Sequence, residues 1–166
     1  ADTEAERAVR LLTAQAMALG GQTAQALALL DAQADGARSA VLTRASMAID
    51  AARAGSPGAQ QALRPSAEAL QAWVTERRSD ALAWSLLSSA NDAMGLKLRS
   101  LRADAEARAA LGDVKGAIDR MRAGQRLARE GAPGTNDAIE AAVINARTAE
   151  LLAVHKELYP DARVRP

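Results

Sequence analysis

Regularly spaced glycines within a helix-forming sequence place the strongest constraint on the fold of this chain. Gly21 and Gly55 lie 34 positions apart, Gly55 and Gly95 lie 40 apart, and Gly95 and Gly112 lie 17 apart. Glycine interrupts helices, and self-similarity at a fixed period of this size is typical of proteins built from stacked helix pairs. The spacing therefore predicts an array of helix pairs, with about half a repeat between Gly95 and Gly112.

The sequence between the glycines favours helices over strands. Alanine, the best helix former, is abundant, while the chain has no Phe, one Tyr and two Trp. Strands are normally enriched in aromatic and β-branched residues, which are scarce here. Eight helices are predicted, at about residues 3–19, 22–34, 38–54, 59–78, 80–94, 97–111, 114–130 and 136–158.

Several helix ends carry a local signal. Asp80 and Asp113 stand where a side-chain oxygen can accept the first free N–H groups of a helix. Thr135 or Asn136 is expected to do the same for the last helix, and Pro160 to end it. In the last helix an apolar stripe is expected from Ile139, Val143, Ile144, Leu151, Val154 and Leu158.

Three windows place small residues where a tetratricopeptide unit needs them. Such a unit packs its two helices closely, so it requires small side chains at the crossing and a glycine at the turn. One window holds Ala14, Gly21 and Ala26, and the other two are marked by Trp84, Gly95, Ala105, Gly112 and Ala117. Residues 38–75 fit the pattern poorly because the turn at Gly55-Ser56-Pro57-Gly58 is irregular.

The prediction is an all-α, tetratricopeptide-like array of about eight antiparallel helices, an α-solenoid with a right-handed superhelix. Residues 1–166 are interpreted as one helical-repeat domain. Its repeat-like units are about 7–35, 38–78, 80–111 and 97–130, followed by the C-terminal helix 136–158. An alanine-rich helical bundle with incidental glycines is the alternative.

The second half of the chain also carries motifs in a recognisable order. Trp84 is followed by the LRADAE segment at 101–106, GDVKGAI at 112–118 and INAR at 144–147. This order resembles the C-terminal tetratricopeptide region of bacterial envelope zinc metallopeptidases, the β-barrel assembly-enhancing protease family. Asn145 stands where that family usually has Asp. The match covers about residues 70–158, and the first half matches only as generic repeats.

The resemblance implies a non-catalytic part of a larger periplasmic protease. The family binds zinc through an HExxH helix in a separate domain, and the single histidine here, His155, has no second histidine one turn away. No cofactor is expected in this chain, and zinc is expected in the parent protein. The resemblance further implies that the partners are polypeptide clients and outer-membrane assembly proteins.

Charge and composition argue against other classes of partner. Lys and Arg number 21 against 20 Asp and Glu, so there is no overall attraction to nucleic acid. The Arg-rich stretch from Lys97 to Arg129 is interleaved with acidic residues and is interpreted as a solvated helix face with i,i+4 pairs. No apolar run is long enough to insert directly into a membrane, and no targeting segment is recognisable.

The candidate binding residues follow from repeat geometry, in which the first helices of successive units line a concave face. The predicted peptide-binding groove consists of Gln15, Ile49, Arg53, Ser85, Ser89 and Asp92. Trp84 is expected in the core, and His155 is expected on a solvent-facing side of its helix. The alternative function is a free-standing scaffold or oligomerisation domain, with the last helix pairing across a homodimer. An enzyme is disfavoured, because the serines at 85, 88 and 89 have no base nearby in sequence.

Overall fold

The computed structural model describes residues 3–31, 36–131 and 137–160, and in these ranges every regular element is an α-helix. The helices are α1 (Glu4–Leu19), α2 (Thr23–Asp31), α3 (Arg38–Arg53), α4 (Ala59–Glu76), α5 (Ala81–Ala93), α6 (Lys97–Ala110), α7 (Val114–Glu130) and α8 (Ala138–Leu158). The predicted all-α class is therefore confirmed. Residues 32–34, where the second helix was expected to end, lie outside the described ranges.

Short polar side chains begin several of the helices. Asp80 accepts a hydrogen bond from the backbone N–H of Ala83 at 3.2 Å, and Asp113 accepts one from Gly116 at 2.8 Å. These two caps confirm the sequence prediction. The cap of α8 is Asp137, which accepts from the N–H of Glu140 at 2.9 Å. The predicted caps Thr135 and Asn136 lie outside the described residues.

The chain divides into two compact units, Ala1–Trp73 and Val74–Pro166. In the first unit α1 packs on α2, and both of these helices pack on α3. Alanines lie at these contacts: Ala14, Ala26 and Ala45 are completely buried, and larger side chains such as Leu30 and Ile49 fill the space around them. Small buried residues of this kind let neighbouring helix backbones approach closely.

In the second unit each helix packs on the next, and α6 also packs on α8. The helices α5 and α6 are joined by Met94-Gly95-Leu96, and α6 and α7 by Leu111-Gly112-Asp113. Connections this short between packed helices make the neighbours antiparallel. Both turns place their glycine at a positive φ, +74° at Gly95 and +83° at Gly112, where other residues are strained.

The core of the second unit is built from α6, α7 and α8. Its buried side chains are mostly small or branched and include the predicted crossing residues Ala105 and Ala117. The other members are Leu98, Val114, Ile118, Met121, Ile144 and Leu151. In α8, therefore, only Ile144 and Leu151 of the predicted apolar stripe are buried.

Ion pairs between α6 and α8 show that these two helices run in the same direction. Arg99 pairs with Asp137 at 3.1 Å, Arg102 pairs with Glu140, and Glu106 pairs with Arg147 at 2.9 Å. The residue numbers of the partners increase together along both helices, so α6 and α8 are parallel. Because α7 is antiparallel to α6, the second unit alternates in direction from one helix to the next.

Among the helices that the structure describes, none is both long and apolar enough to cross a membrane.

Candidate polypeptide-binding surfaces

The residues predicted on α5 share one face of that helix. Ser85, Ser89 and Asp92 follow each other at intervals of four and three residues, which places them on the same side. Ser85 and Asp92 are exposed and Ser89 is half-buried. The hydroxyl of Ser85 donates to the carbonyl of Ala81 at 3.0 Å, and Asp92 pairs with Lys97 at 2.6 Å. This face is polar and accessible.

The residues predicted in the first unit have different environments. Gln15 on α1 and Arg53 at the end of α3 are exposed. Ile49 is only 2% exposed and belongs to the core of the first unit. The prediction of Ile49 as a groove residue is therefore wrong, because a side chain without accessible surface cannot contact a ligand. The apolar side chain of Ile49 indicates burial, and its assignment to the groove did not take this into account.

Trp84 lies in the core, as expected from its sequence context. Its side chain is 5% exposed, and the indole N–H donates to the carbonyl of Arg78 at 2.9 Å. The guanidinium of Arg102 lies 5.8 Å from the centroid of the indole ring, within the range of a cation–π contact. Arg102 in turn pairs with Glu140, which is buried. Trp84 therefore supports the packing of the second unit.

The charged residues of α6 form ion pairs mainly with residues of other helices. One expected i,i+4 pair is formed within α6, between Asp104 and Arg108 at 3.4 Å. Asp104 also pairs with Arg120 of α7 at 2.7 Å. Together with the pairs to α8, these contacts show that several charges of the Arg-rich stretch connect neighbouring helices. These interhelical ion pairs could not be predicted from the sequence alone, because the sequence does not specify which helix lies opposite each charge.

Arg147 of α8 is held by two carboxylates, Glu106 and Glu150. It donates to both carboxylate oxygens of Glu106 and to Glu150 at 2.7 Å. Partial burial works to lower the pKa of Arg147, but the hydrogen bonds to Glu106 and Glu150 outweigh that cost and raise the pKa above its ordinary value. The guanidinium is therefore permanently charged and its position is fixed by two carboxylates.

A cleft of about 550 Å³ opens in the first unit, between α2, α3 and the beginning of α4. One wall is the turn that joins α3 to α4. The N–H of Ser56 reaches back to the carbonyl of Ala51 at 2.9 Å, which ends α3, and Pro57 and Gly58 then lead into Ala59, the first residue of α4. The sequence of this turn fits the repeat pattern poorly. That irregularity is the feature of the sequence that marks the position of the cleft.

The lining of the cleft is mostly apolar and made of small residues, with one strong charge. Leu27, Ala28, Ala51 and Ala62 contribute apolar surface, and among the described lining residues the charged one is Arg44. The volume lies within the usual range for ligand pockets, roughly 300–1,000 Å³, and such pockets typically combine apolar walls with a few polar groups. The size and the lining of the cleft are therefore those of a small ligand pocket.

A proline interrupts the hydrogen-bond pattern of α4 where this helix borders the cleft. Pro65 lies inside α4, and both Pro65 and Gln61 line the cleft. Because proline has no N–H, the carbonyl of Gln61 loses the donor that residue 65 would supply in a regular helix.

His155 is buried, which corrects the expectation of a solvent-facing side chain. It is 6% exposed and its ring centroid lies 5.0 Å from that of Tyr159. Among the described residues, Nδ1 of His155 has no hydrogen-bond partner, and no group of three or more His, Cys, Asp or Glu is arranged to hold a metal ion.

Several apolar side chains lie on the outward side of α8. Ile139 is 80% exposed, and Val143, Val154 and Leu158 are also exposed. The expectation that these four side chains continue the buried stripe is therefore wrong. The face toward α6 and α7 is occupied instead by Glu140, Ile144, Thr148, Leu151 and His155. Some of these buried side chains are polar, because ion pairs and hydrogen bonds join α8 to its neighbours.

No protein-family model matches the chain, and no curated protein matches it significantly.

Proposed function

We propose that this chain is a non-catalytic, tetratricopeptide-like module that binds polypeptides. The observation that carries the proposal is the alternating packing of α6, α7 and α8, in which α6 and α8 are parallel and joined by ion pairs. Helix-pair repeats stack in this way, and each unit contacts only its neighbours. Proteins of this architecture present extended surfaces to other polypeptide chains.

The accessible surfaces agree with such a role. The face of α5 with Ser85, Ser89 and Asp92 is polar, and the cleft of the first unit is largely apolar. Accessible polar and apolar surfaces of these kinds, one in each unit, suit tolerant recognition of many segments. Gln15 and Arg53 remain candidate contacts because both are exposed.

We further propose that the module belongs to a periplasmic zinc metallopeptidase and binds its clients or the outer-membrane assembly machinery. The support is the sequence resemblance, and two of the segments that carry it are in contact. Glu106 ends the LRADAE segment, Arg147 ends INAR, and the two side chains form a bidentate ion pair. Interacting residues of this kind keep both segments in a fixed register.

Two experiments test these proposals separately. Sequencing the reading frame around the coding region shows whether an HExxH domain is joined to this module; a frame without one contradicts the protease assignment and leaves the polypeptide-binding proposal standing. Equilibrium binding of unfolded polypeptide to the purified chain tests the binding function itself. We expect saturable binding without cleavage, and fragments appearing over time would contradict the non-catalytic assignment.

A homodimerisation module is the second candidate, favoured by the exposed apolar face of α8. Large exposed apolar side chains can mark a protein–protein contact, and Ile139 and Val143 lie one turn apart on the same side of the helix. Light scattering after size-exclusion chromatography measures the mass of the wild-type chain and of Val143→Glu. A dimer that Val143→Glu converts to a monomer would support this candidate, and a wild-type monomer at all concentrations would contradict it.

A further inference from the structure

We propose that copies of this chain associate through two unlike surfaces: an apolar seam on α1 of one copy packs antiparallel against an apolar seam on α8 of a second copy. This contact goes beyond the proposed polypeptide-binding function and does not depend on it. The proposal rests on the exposure of the side chains on the two helices, on the spacing of those side chains and on their sizes.

The seam on α1 lies on the side of that helix opposite its buried contacts. Five apolar side chains recur there at intervals of four and three residues, namely Ala5, Val9, Leu12, Ala16 and Leu19. Such intervals keep side chains on one side of a helix. Val9, Leu12 and Leu19 are 64%, 65% and 91% exposed, whereas Ala14 on the opposite side is completely buried. We call these five residues the α1 seam.

The seam on α8 has the same construction. Its five members are apolar and exposed and recur at intervals of three and four residues, namely Ile139, Ala142, Ala146, Ala149 and Ala153. The largest of them, Ile139, is 80% exposed. Buried side chains of α8, such as Ile144 and Leu151, lie on the other side of the helix. These five residues, the α8 seam, therefore face away from the contacts of α8 with its neighbours.

The intervals of the two seams match when the helices are antiparallel. Read from its N-terminal end, the α1 seam has intervals of 4, 3, 4 and 3 residues, and the α8 seam has the same intervals when read from its C-terminal end. Two antiparallel helices therefore place Leu12 opposite Ala146. Val9 then lies opposite Ala149, and every member of each seam has a counterpart over a length of roughly 21 Å.

The sizes of the opposing side chains also fit. Val9 and Leu12, in the middle of the α1 seam, meet alanines of the α8 seam. A large side chain opposite a small one lets two helices interdigitate at close distance. At one end of the contact Leu19 lies opposite Ile139, so this pair would cover the most exposed side chain of each seam.

Pairing of a seam with its own copy fits less well. In an antiparallel pair of two like seams the intervals are out of step, and one member of each seam has no counterpart. In a parallel pair the intervals agree, but two α8 seams then place alanine on alanine and bury little apolar area. Contact between the unlike seams combines a full match of the intervals with large side chains opposite small ones.

Sedimentation velocity of the purified chain tests the association. Contact between unlike surfaces leaves one unoccupied seam on each outer copy, so association can continue beyond two copies. We therefore expect the mass of the wild type to rise with concentration past that of a dimer. A wild type that stays monomeric at every concentration would overturn the proposal.

Two charged variants, mixed with each other, identify the two surfaces. Leu12→Glu blocks the α1 seam and Ala146→Glu blocks the α8 seam, and both positions are exposed, so the fold should tolerate the change. Each variant alone should be monomeric. An equimolar mixture should form a complex of twice the mass of one chain and no larger, because one intact seam of each kind remains. Continued association of either variant alone, or a mixture that stays monomeric, would contradict contact between unlike seams.

An exchange of side-chain sizes tests the register. Leu12→Ala and Ala146→Leu should each weaken association about tenfold or more, and the double variant should recover it because the large–small layer is restored in reverse. The control is Gln25→Glu, since Gln25 is exposed on α2 outside both seams, and this variant should associate as the wild type does. A double variant no better than the single ones would show that Leu12 and Ala146 are not opposite each other, which contradicts the proposed contact.

Discussion

Glu106 accepts two hydrogen bonds from the guanidinium of Arg147, at 2.9 Å from Nε and 3.0 Å from Nη2. Each residue lies on a different helix, and α7 separates these helices along the chain. Together with Arg102 and Glu140, this pair aligns α6 with α8. The orientation of the last helix is therefore specified by charge as well as by apolar packing.

A double-mutant cycle measures the contribution of this pair. Arg147 and Glu106 are 30% and 15% exposed, so water weakens their interaction only in part. We expect Arg147→Met and Glu106→Gln to be coupled by about 1–3 kcal/mol in the free energy of unfolding. The matched control is Lys97 with Asp92, 48% and 60% exposed, for which we expect less than about 1 kcal/mol. Equal coupling in the two cycles would show that Arg147 does not orient α8.

Asp137 makes the beginning of α8 sensitive to acid. The N–H of Glu140 lowers the pKa of this carboxyl, burial opposes the shift, and Arg99 lowers the pKa further. Because the pKa is lower in the folded chain than its ordinary value of 3.8, Asp137 stabilises the fold above that value. This stabilisation is lost as the pH falls through the lowered pKa.

The variant Asp137→Asn isolates this effect, since Asn also caps helices but carries no charge. Urea unfolding from neutral pH down to about pH 3 should show a smaller loss of stability for Asp137→Asn than for the wild type. Arg99→Gln should reduce the difference because it removes one cause of the shift. Parallel pH profiles for the wild type and Asp137→Asn would contradict the assignment.

The helices could be predicted from the sequence because their signals are local. The glycines at 95 and 112 and the aspartates at 80 and 113 act within one turn of their own position, and the structure places the helix ends beside them. The all-α class followed from the same signals. The burial of Ala105 and Ala117 could also be predicted, because both small residues stand at positions where the repeat pattern requires a close crossing.

Features that depend on the opposite helix could not be predicted in this way. His155 is buried, and nothing in the adjacent sequence indicates this; for Ile49, by contrast, the apolar side chain itself indicated burial. The outward turn of Ile139 and Val143 has the same origin, because α8 uses Glu140 and Ile144 for its contacts. The cleft of the first unit arises where the chain departs from the repeat pattern, so the pattern could not describe it.

Trp84 anchors the second unit, and its substitution should be costly. Trp84→Ala removes a buried side chain and is expected to destabilise the chain by about 3–5 kcal/mol. Trp84→Phe keeps most of the apolar volume but loses the N–H that binds Arg78, for an expected cost of about 1–2 kcal/mol. The control is Leu82→Ala on the same helix, where Leu82 is exposed and the change should stay within about 0.5 kcal/mol. Urea denaturation gives all three values, and a loss below about 1 kcal/mol for Trp84→Ala would contradict a core position.

Gly124 lies where α7 approaches α8. A Cβ added at this position would lie 3.0 Å from Cδ1 of Ile144. Gly124→Ala therefore combines a helix-propensity gain of up to about 1 kcal/mol with a steric cost, and we expect little net change in stability. In the background Ile144→Val, which removes Cδ1, the same substitution should stabilise the chain. Thermal unfolding of the four variants tests this, and an identical effect in both backgrounds would mean that Ile144 does not limit the space.

Titration of the purified chain with an unfolded polypeptide is the decisive test of the proposed function. The polypeptide is a fluorescently labelled, urea-unfolded β-barrel protein diluted into buffer, and the control is the same protein in its folded state. We expect saturable anisotropy for the unfolded form, no binding of the folded form and an intact label after prolonged incubation. Absence of binding to the unfolded form, or equal binding of both forms, would contradict the assignment of this chain as a polypeptide-binding module.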